Sequence, residues 1–425
     1  MGILNELITN VKGMRLHTIA ALPFKTNSLI LKVKAPLDEN DVTLRALLPH
    51  VLQRGTKTYP TTTQLRKYLD ELYGATLQVD LSKKGEHHIM TFRMEIPNEK
   101  FLKNQTPLLE KGIKLLSEVF LSPPLQNGAF REEIVEQEKR TLKQRIQAAY
   151  DDKMRYANLR LVQEMCKSEP YRLHVNGEKE HVQEITAFQL TQYYQNMLNS
   201  NEVDFYVIGD ADPEHIQEIV EKNFHLSGSN RHVQVNSLQK QVNGVREVIE
   251  EQDVTQGKLN IGYRTHTTFA DDDYFVLHVF NGIFGGFPHS KLFRNVREKA
   301  SLAYYASSRI ESHKGLLLVM SGIEVKNYDK ALSIIHEQME AMKKGDFTNE
   351  ELLQTKAVIK NQLLETIDVP GGMAELLYHN VVAKTNRSID EWMERVEKVN
   401  KDDIVQLAQK IELDTIYFLK GGGSL

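Results

Sequence analysis

Ala46-Leu47-Leu48-Pro49-His50-Val51-Leu52-Gln53-Arg54-Gly55-Thr56-Lys57-Thr58-Tyr59-Pro60 reads as an apolar helix that runs into a glycine turn. The inverted zinc motif H-x-x-E-H needs histidines at its first and fifth positions and a glutamate at its fourth. Laid over Ala46–His50, that frame finds Ala46, Pro49 and His50 at the three positions. Residues four apart share one face of a helix, which is how two histidines at that spacing grip one metal. A catalytic zinc takes three protein ligands and leaves one position for water, whose proton a nearby carboxylate accepts. Alanine has no lone pair to offer. Proline has neither a carboxylate nor a backbone N–H, and inside a helix it costs roughly 3 kcal/mol. His50 is therefore expected to be a packed or solvent-facing histidine, and Ala46, Pro49 and His50 to form a degenerate motif with no intrinsic metal site.

Outward from this stretch the order of elements repeats. The first half reads as a helix before Gly55, a helix over 65–72 closed by Gly74, a strand over 88–96 and a long helix over 130–150. The second half reads as a helix over 274–280 before Gly285-Gly286, a helix over 291–299, a strand over 315–323 and a long helix over 350–366. His88, Met90, Phe92, Met94 and Ile96 alternate with Ile89, Thr91, Arg93 and Glu95, the period of a half-buried strand. Thr348-Asn349-Glu350-Glu351 has the spacing of a capping box. Between the halves, Ser227-Gly228-Ser229-Asn230 and the polar residues 234–244 have linker chemistry, which puts a boundary near residue 235. Repeated strands with gathered helices predict an α+β protein of two domains, 1–235 and 236–425.

Three runs resemble the M16 (pitrilysin and mitochondrial-processing-peptidase-like) family. Gly55-Thr56-Lys57-Thr58-Tyr59-Pro60 is similar to the GTxxYP turn that follows the family's zinc motif. Phe205-Tyr206-Val207-Ile208-Gly209-Asp210 with Asp212-Pro213 resembles its VGD-x-DP element. The run from Gly285-Gly286 through Ser290-Lys291-Leu292-Phe293 and Val296-Arg297-Glu298-Lys299 to Leu302-Ala303-Tyr304 resembles its GG-x-x-SxLFxxVREKxGLAY signature. Together these span nearly the whole chain. Ser301 replaces the usual glycine, and a longer stretch than usual at 98–104 is expected to alter the cavity wall.

The resemblance implies two homologous domains, each a mainly antiparallel sheet with helices packed on one face, in the LuxS/MPP-like metallohydrolase fold. The family's third zinc ligand, a glutamate, falls at Arg145, or at Gln144 if the register slips by one. A cation there would repel zinc. In the family an arginine and a tyrosine of the second domain bind substrate backbone and steady the oxyanion, and they match Arg297 and Tyr304 here. A guanidinium offers fixed donors to a carbonyl or carboxylate, and a phenol can donate to developing negative charge. The resemblance thus implies the non-catalytic subunit of a heterodimeric zinc peptidase. It would bind an unfolded peptide and lend Arg297 and Tyr304 to an H-x-x-E-H partner, the only subunit to carry zinc. A second reading is an inactive peptide-binding scaffold, as a homodimer or within a larger complex.

Composition narrows the setting. Of 425 residues, 41% are apolar and 26% charged, as in a soluble globular protein. A net charge of −4 gives no basic excess for nucleic acid. With Cys166 the one cysteine, no intramolecular disulfide can form. The N-terminal residues have no signal-peptide pattern and apolar runs such as Leu316-Leu317-Leu318-Val319-Met320 are too short to span a bilayer, so a cytoplasmic location away from the membrane is expected. Glu86, His87 and His88 form the one other tempting metal cluster, but adjacent strand residues point to opposite faces. Trp392 reads as a packing residue.

Overall fold

The alternation over 88–96 builds a strand with Met90, Phe92, Met94 and Ile96 fully buried. That strand lies within a six-stranded sheet. The computed structural model describes residues 4–21, 24–103, 106–226, 242 and 244–422. The first sheet contains β1 (Glu6–Val11), β2 (Met14–Ala20), β3 (Thr26–Pro36), β4 (Thr76–Lys84), β5 (His87–Pro97) and β6 (Glu202–Gly209). Its order is β1-β2-β6-β3-β5-β4. The second contains β7 (Arg246–Gln252), β8 (Gly257–Arg264), β9 (Ala303–Glu311), β10 (Leu316–Ile323) and β11 (Glu412–Gly421), in the order β7-β11-β8-β10-β9. β2 runs parallel to β6, as β7 does to β11. β3 is antiparallel to β6 and β5, as β8 is to β11 and β10. Leaving out β1, the two sheets match strand for strand. The repeat read from the order of elements is thus a repeat of topology, and the protein is α+β with two mainly antiparallel sheets.

Two compact units form around these sheets. The expected boundary near residue 235, and the linker residues 227–230, lie outside the described residues. The first unit holds Met1–Lys83, His87–Gln147 and Leu173–Val235; the second holds Lys84–Glu86, Ala148–Arg172 and Asn236–Leu425. Residues 148–172, which chain order assigns to the first domain, therefore pack with the second. The reason is apolar. In the helix Lys153–Met165, Leu161, Val162 and Met165 are buried. A Cβ placed on Gly262 of β8 would sit 2.6 Å from Met165 Sδ and 3.5 Å from Leu161 Cδ1, so glycine lets this helix approach the strand closely. Tyr263, which points to the other face, is 2% exposed. Leu316, Leu317, Leu318 and Val319 are all fully buried in succession, so both faces of β10 are covered.

Local signals act where the sequence places them. Thr348 caps the helix Asn349–Ile367 with a complete capping box, and Asp212 caps Pro213–Asn223 with proline in its first turn. The stretch expected at 98–104 is described as far as Lys103 and contains a 3-10 turn, Glu99–Phe101. Trp392 packs edge-on against Phe275 and His278, with ring centroids 5.3 and 5.2 Å away. Among the described residues no helix is long and apolar enough to cross a membrane.

A buried ionic cluster ties β1 to the first sheet. His17 of β2 is fully buried, with Nδ1 2.7 Å from Glu6 Oε1 and Nε2 3.0 Å from Asp204 Oδ1. Burial opposes a charged imidazole, but the hydrogen bonds and charges of Asp204 and Glu6 outweigh it and raise the pKa above 6.5. A group whose folded pKa is raised stabilises fully below its unfolded value, and the contribution is lost as pH rises through the folded value. The stability gap between wild type and His17→Gln is therefore expected to be widest below about pH 6.5 and to narrow at alkaline pH, read from urea midpoints. A gap that is constant or grows with pH would remove the charged clamp.

Candidate functional site

The degenerate motif lies on the helix Val42–Leu52, which packs on β5 and on the helices Lys179–Glu184 and Ala187–Ser200. Pro49 does not end this helix. It continues to Leu52, and the N–H of Gln53 donates to the Pro49 carbonyl at 3.1 Å. Ala46 is fully buried and His50 is 7% exposed, a packed histidine. On the helix Glu132–Asp151, Gln144 is exposed while Arg145 is half-buried and acts electrostatically on His50. Of the two residues, Arg145 is the one whose charge reaches His50. Burial, then the charges of Arg145 and Arg54, push the His50 pKa down to about 3, so the imidazole is neutral. Its Nδ1 lies 3.4 Å from Gln53 Nε2, a long contact.

Two charged neighbours complete this site, and neither was singled out from sequence. Arg54 donates from Nε to Glu138 Oε1 at 2.6 Å, and Glu138 is 1% exposed. Arg145 makes no hydrogen bond or ion pair among the described residues, and its Nη1 is buried without an acceptor. A methyl group, a proline ring, one neutral imidazole and a guanidinium do not fit a catalytic zinc, which needs three lone-pair donors. Among the described residues no group of three or more His, Cys, Asp or Glu side chains is placed to hold a metal. The cluster at 86–88 does not assemble: His88 is fully buried in the first unit, and the Glu86 carboxylate is engaged by Lys314 in the second.

The turn after the motif keeps its structural parts. A Cβ on Gly55 would meet Tyr59 O at 2.9 Å and the Pro60 carbonyl at 3.0 Å, so only glycine fits. The Thr56 N–H donates to Tyr59 O at 2.9 Å, and the Tyr59 N–H donates back to Thr56 Oγ1 at 2.9 Å. Arg131 Nη2 holds the Pro60 carbonyl at 2.6 Å. Arg45 anchors the helix itself. It is 1% exposed, and its guanidinium donates to Val33 O at 2.5 Å, His88 O at 3.1 Å and Tyr193 Oη at 3.2 Å, and to Asn201 Oδ1. The sequence signal for this was one arginine in an otherwise apolar turn.

A family model described as "Peptidase M16 inactive domain" matches residues 184–359. Over 421 residues, 99% of each chain, the protein is 57% identical to the "Probable inactive metalloprotease YmfF" of Bacillus subtilis strain 168. The chain belongs to the M16 peptidase family. A crystal structure of a conserved protein from Enterococcus faecalis V583 is 34% identical, covering 99% of this chain and 100% of that one at a TM-score of 0.92. The solved peptidase M16 inactive domain from Pseudomonas fluorescens, 16% identical, covers 99% of both chains at a TM-score of 0.82 and shares the fold.

The M16-like signature of the second unit is built from wide helical turns. The helix Tyr274–Asn281 passes into a π-helical turn, Gly282–Gly286, and a second π-helical stretch spans Phe293–Lys299. Such turns recur at functional sites. Gly285 and Gly286 are needed for space: a Cβ on the first would lie 2.5 Å from Ser308 Oγ, and on the second 2.8 Å from Asn281 Nδ2. Leu292 and Val296 are fully buried, which turns Arg297 outward. Its guanidinium stacks on Phe293, 4.6 Å from the ring centre. Ser301 sits at φ 51°, the left-handed region where the family's glycine is at ease; a non-glycine residue there costs about 1–2 kcal/mol. Beyond this turn β9 begins at the sheet edge, and Tyr304 stands 70% exposed on it. Neither the Arg297 nor the Tyr304 side chain has a hydrogen-bond partner among the described residues.

Proposed function

We propose that this chain is the non-catalytic subunit of a heterodimeric M16-type peptidase, acting in the cytoplasm and carrying no zinc of its own. It binds an unfolded peptide and presents Arg297 and Tyr304 to a partner with an intact H-x-x-E-H helix. One observation carries the reading: the two side chains are displayed without protein acceptors in a kept signature, while the motif helix has lost its ligands. An exposed arginine with only an aromatic neighbour is free to grip a peptide carbonyl, and an exposed phenol can donate to an oxyanion.

The test is reconstitution with a relative that carries H-x-x-E-H. The mixture is expected to form a stable pair and to hydrolyse an unfolded peptide, while this chain alone shows neither hydrolysis nor stoichiometric zinc. Chelator-sensitive hydrolysis by this chain alone would overturn the proposal. A stable pair no more active than the relative alone would favour the scaffold reading instead.

A further inference from the structure

A long exposed side chain is spread over many rotamers, and a substrate that uses it has to freeze them. Arg297 has a restraint against this. Phe293 lies four residues before it in the same helical stretch, and helical side chains lean over the preceding turn. The Arg297 guanidinium accordingly rests over the Phe293 ring, 4.6 Å from its centre. Attraction to a ring face uses the charge and not the N–H groups, so the donors of the fork stay available for a carbonyl. The ring stands on a fixed base. Leu292 and Val296, on either side of it in the chain, are fully buried. Arg294 Nη1 donates to Glu351 Oε1 at 2.9 Å, and Asn295 Nδ2 donates to Gln338 Oε1 at 2.7 Å. These bonds tie the stretch to the helices Asn349–Ile367 and Tyr328–Lys343.

We propose that Phe293 is the positioning residue for Arg297, its ring holding the guanidinium in the direction from which it grips the substrate backbone. The role rests on the proposed function, in which Arg297 makes that grip. Phe293 acts through the arginine and not on the substrate. With the rotamer chosen beforehand, binding is relieved of the cost of ordering the side chain. Loss of the ring weakens the grip equally in the ground state and the transition state, which places the effect in KM.

The test uses the full chain reconstituted with a relative that carries H-x-x-E-H, and an unfolded peptide as substrate. Phe293→Leu keeps an apolar side chain without the ring. It is expected to raise KM about fivefold with kcat within about twofold, and Phe293→Tyr, which keeps the ring, to restore the wild-type KM. In an Arg297→Ala background the same Phe293→Leu change is expected to leave KM within about 1.5-fold, because the ring has nothing left to hold. A loss that persists undiminished in that background marks a structural role and overturns the proposal. An unchanged KM in Phe293→Leu, beside a slowed Arg297→Ala, overturns it as well. If the leucine variant does not pair, Phe293→Met repeats the kinetics with an unbranched side chain. NMR of the chain alone gives a reading that needs no partner. The ring current of Phe293 should displace the Arg297 Cδ protons upfield in wild type and in Phe293→Tyr, and not in Phe293→Leu. No displacement in wild type removes the stack and the proposal with it. A pair whose rate is indifferent to Arg297→Ala, in a chain that still shows the displacement, overturns the proposed function and, through it, the positioning role.

Discussion

Replacing Arg45 with alanine is expected to lower the unfolding free energy by about 3–5 kcal/mol. The guanidinium is 1% exposed and its hydrogen bonds end on the carbonyls of Val33 and His88, on Tyr193 and on Asn201. Alanine would leave those acceptors in a dry core, at roughly 1–3 kcal/mol for each that stays unsatisfied. It would also open a cavity where the side chain passed. Arg45→Lys should recover only part of the loss, because an ammonium cannot reproduce the planar fork that reaches β3 and β5 together. Urea unfolding gives the free energies. The NMR signal of His50, one turn along the same helix, should broaden in Arg45→Ala as the helix loses its anchor. A loss below about 1 kcal/mol would mean that water satisfies those acceptors as well as the arginine does.

Arg45 also marks where sequence reading stops. Its four partners lie at positions 33, 88, 193 and 201, and no local pattern joins them. Amphipathic logic would send a lone arginine to solvent. What depends on neighbours in the chain was legible: the alternation of β5, the capping box at Thr348, Pro213 behind its Asp212 cap, and the paired order of elements in the two halves. The degenerate motif was legible too, because the absence of a lone pair at Ala46 or a carboxylate at Pro49 is visible in the letters. What depends on tertiary packing was not. The helix Lys153–Met165 goes with the second unit because Gly262 leaves room for Met165. Arg145 and Gln144 are alike in the letters, and only the turn of the helix leaves one half-buried and the other exposed. Nor do the letters of Gly285-Gly286 show the short distances to Ser308 and Asn281 that leave no room for a Cβ there. The letters show that Ser301 replaces a glycine, but not that its φ lies in the left-handed region.

In the reconstituted pair, Arg297→Ala and Tyr304→Phe are each expected to lower peptide hydrolysis by about 10²–10³-fold, the usual effect of removing one oxyanion-stabilising donor. The two side chains predict different kinetic signatures. If Arg297 holds the substrate backbone, part of its loss should appear as a higher KM; a Tyr304 hydroxyl that acts only on developing charge should lower kcat with KM unchanged. Groups that serve one transition state are not additive, so the double variant should fall short of the product of the single losses. Folding offers no alternative explanation. Arg297 touches the protein through Phe293, and Tyr304 is 70% exposed at a sheet edge, so neither change should move the stability of this chain by more than about 0.5 kcal/mol. Replacing the neighbouring exposed Lys299 with alanine removes a charge of the same sign from the same turn, and should leave the rate within about twofold if position rather than net charge matters. Rates unchanged in both Arg297→Ala and Tyr304→Phe would strip these residues of a catalytic role and leave the second unit a structural partner.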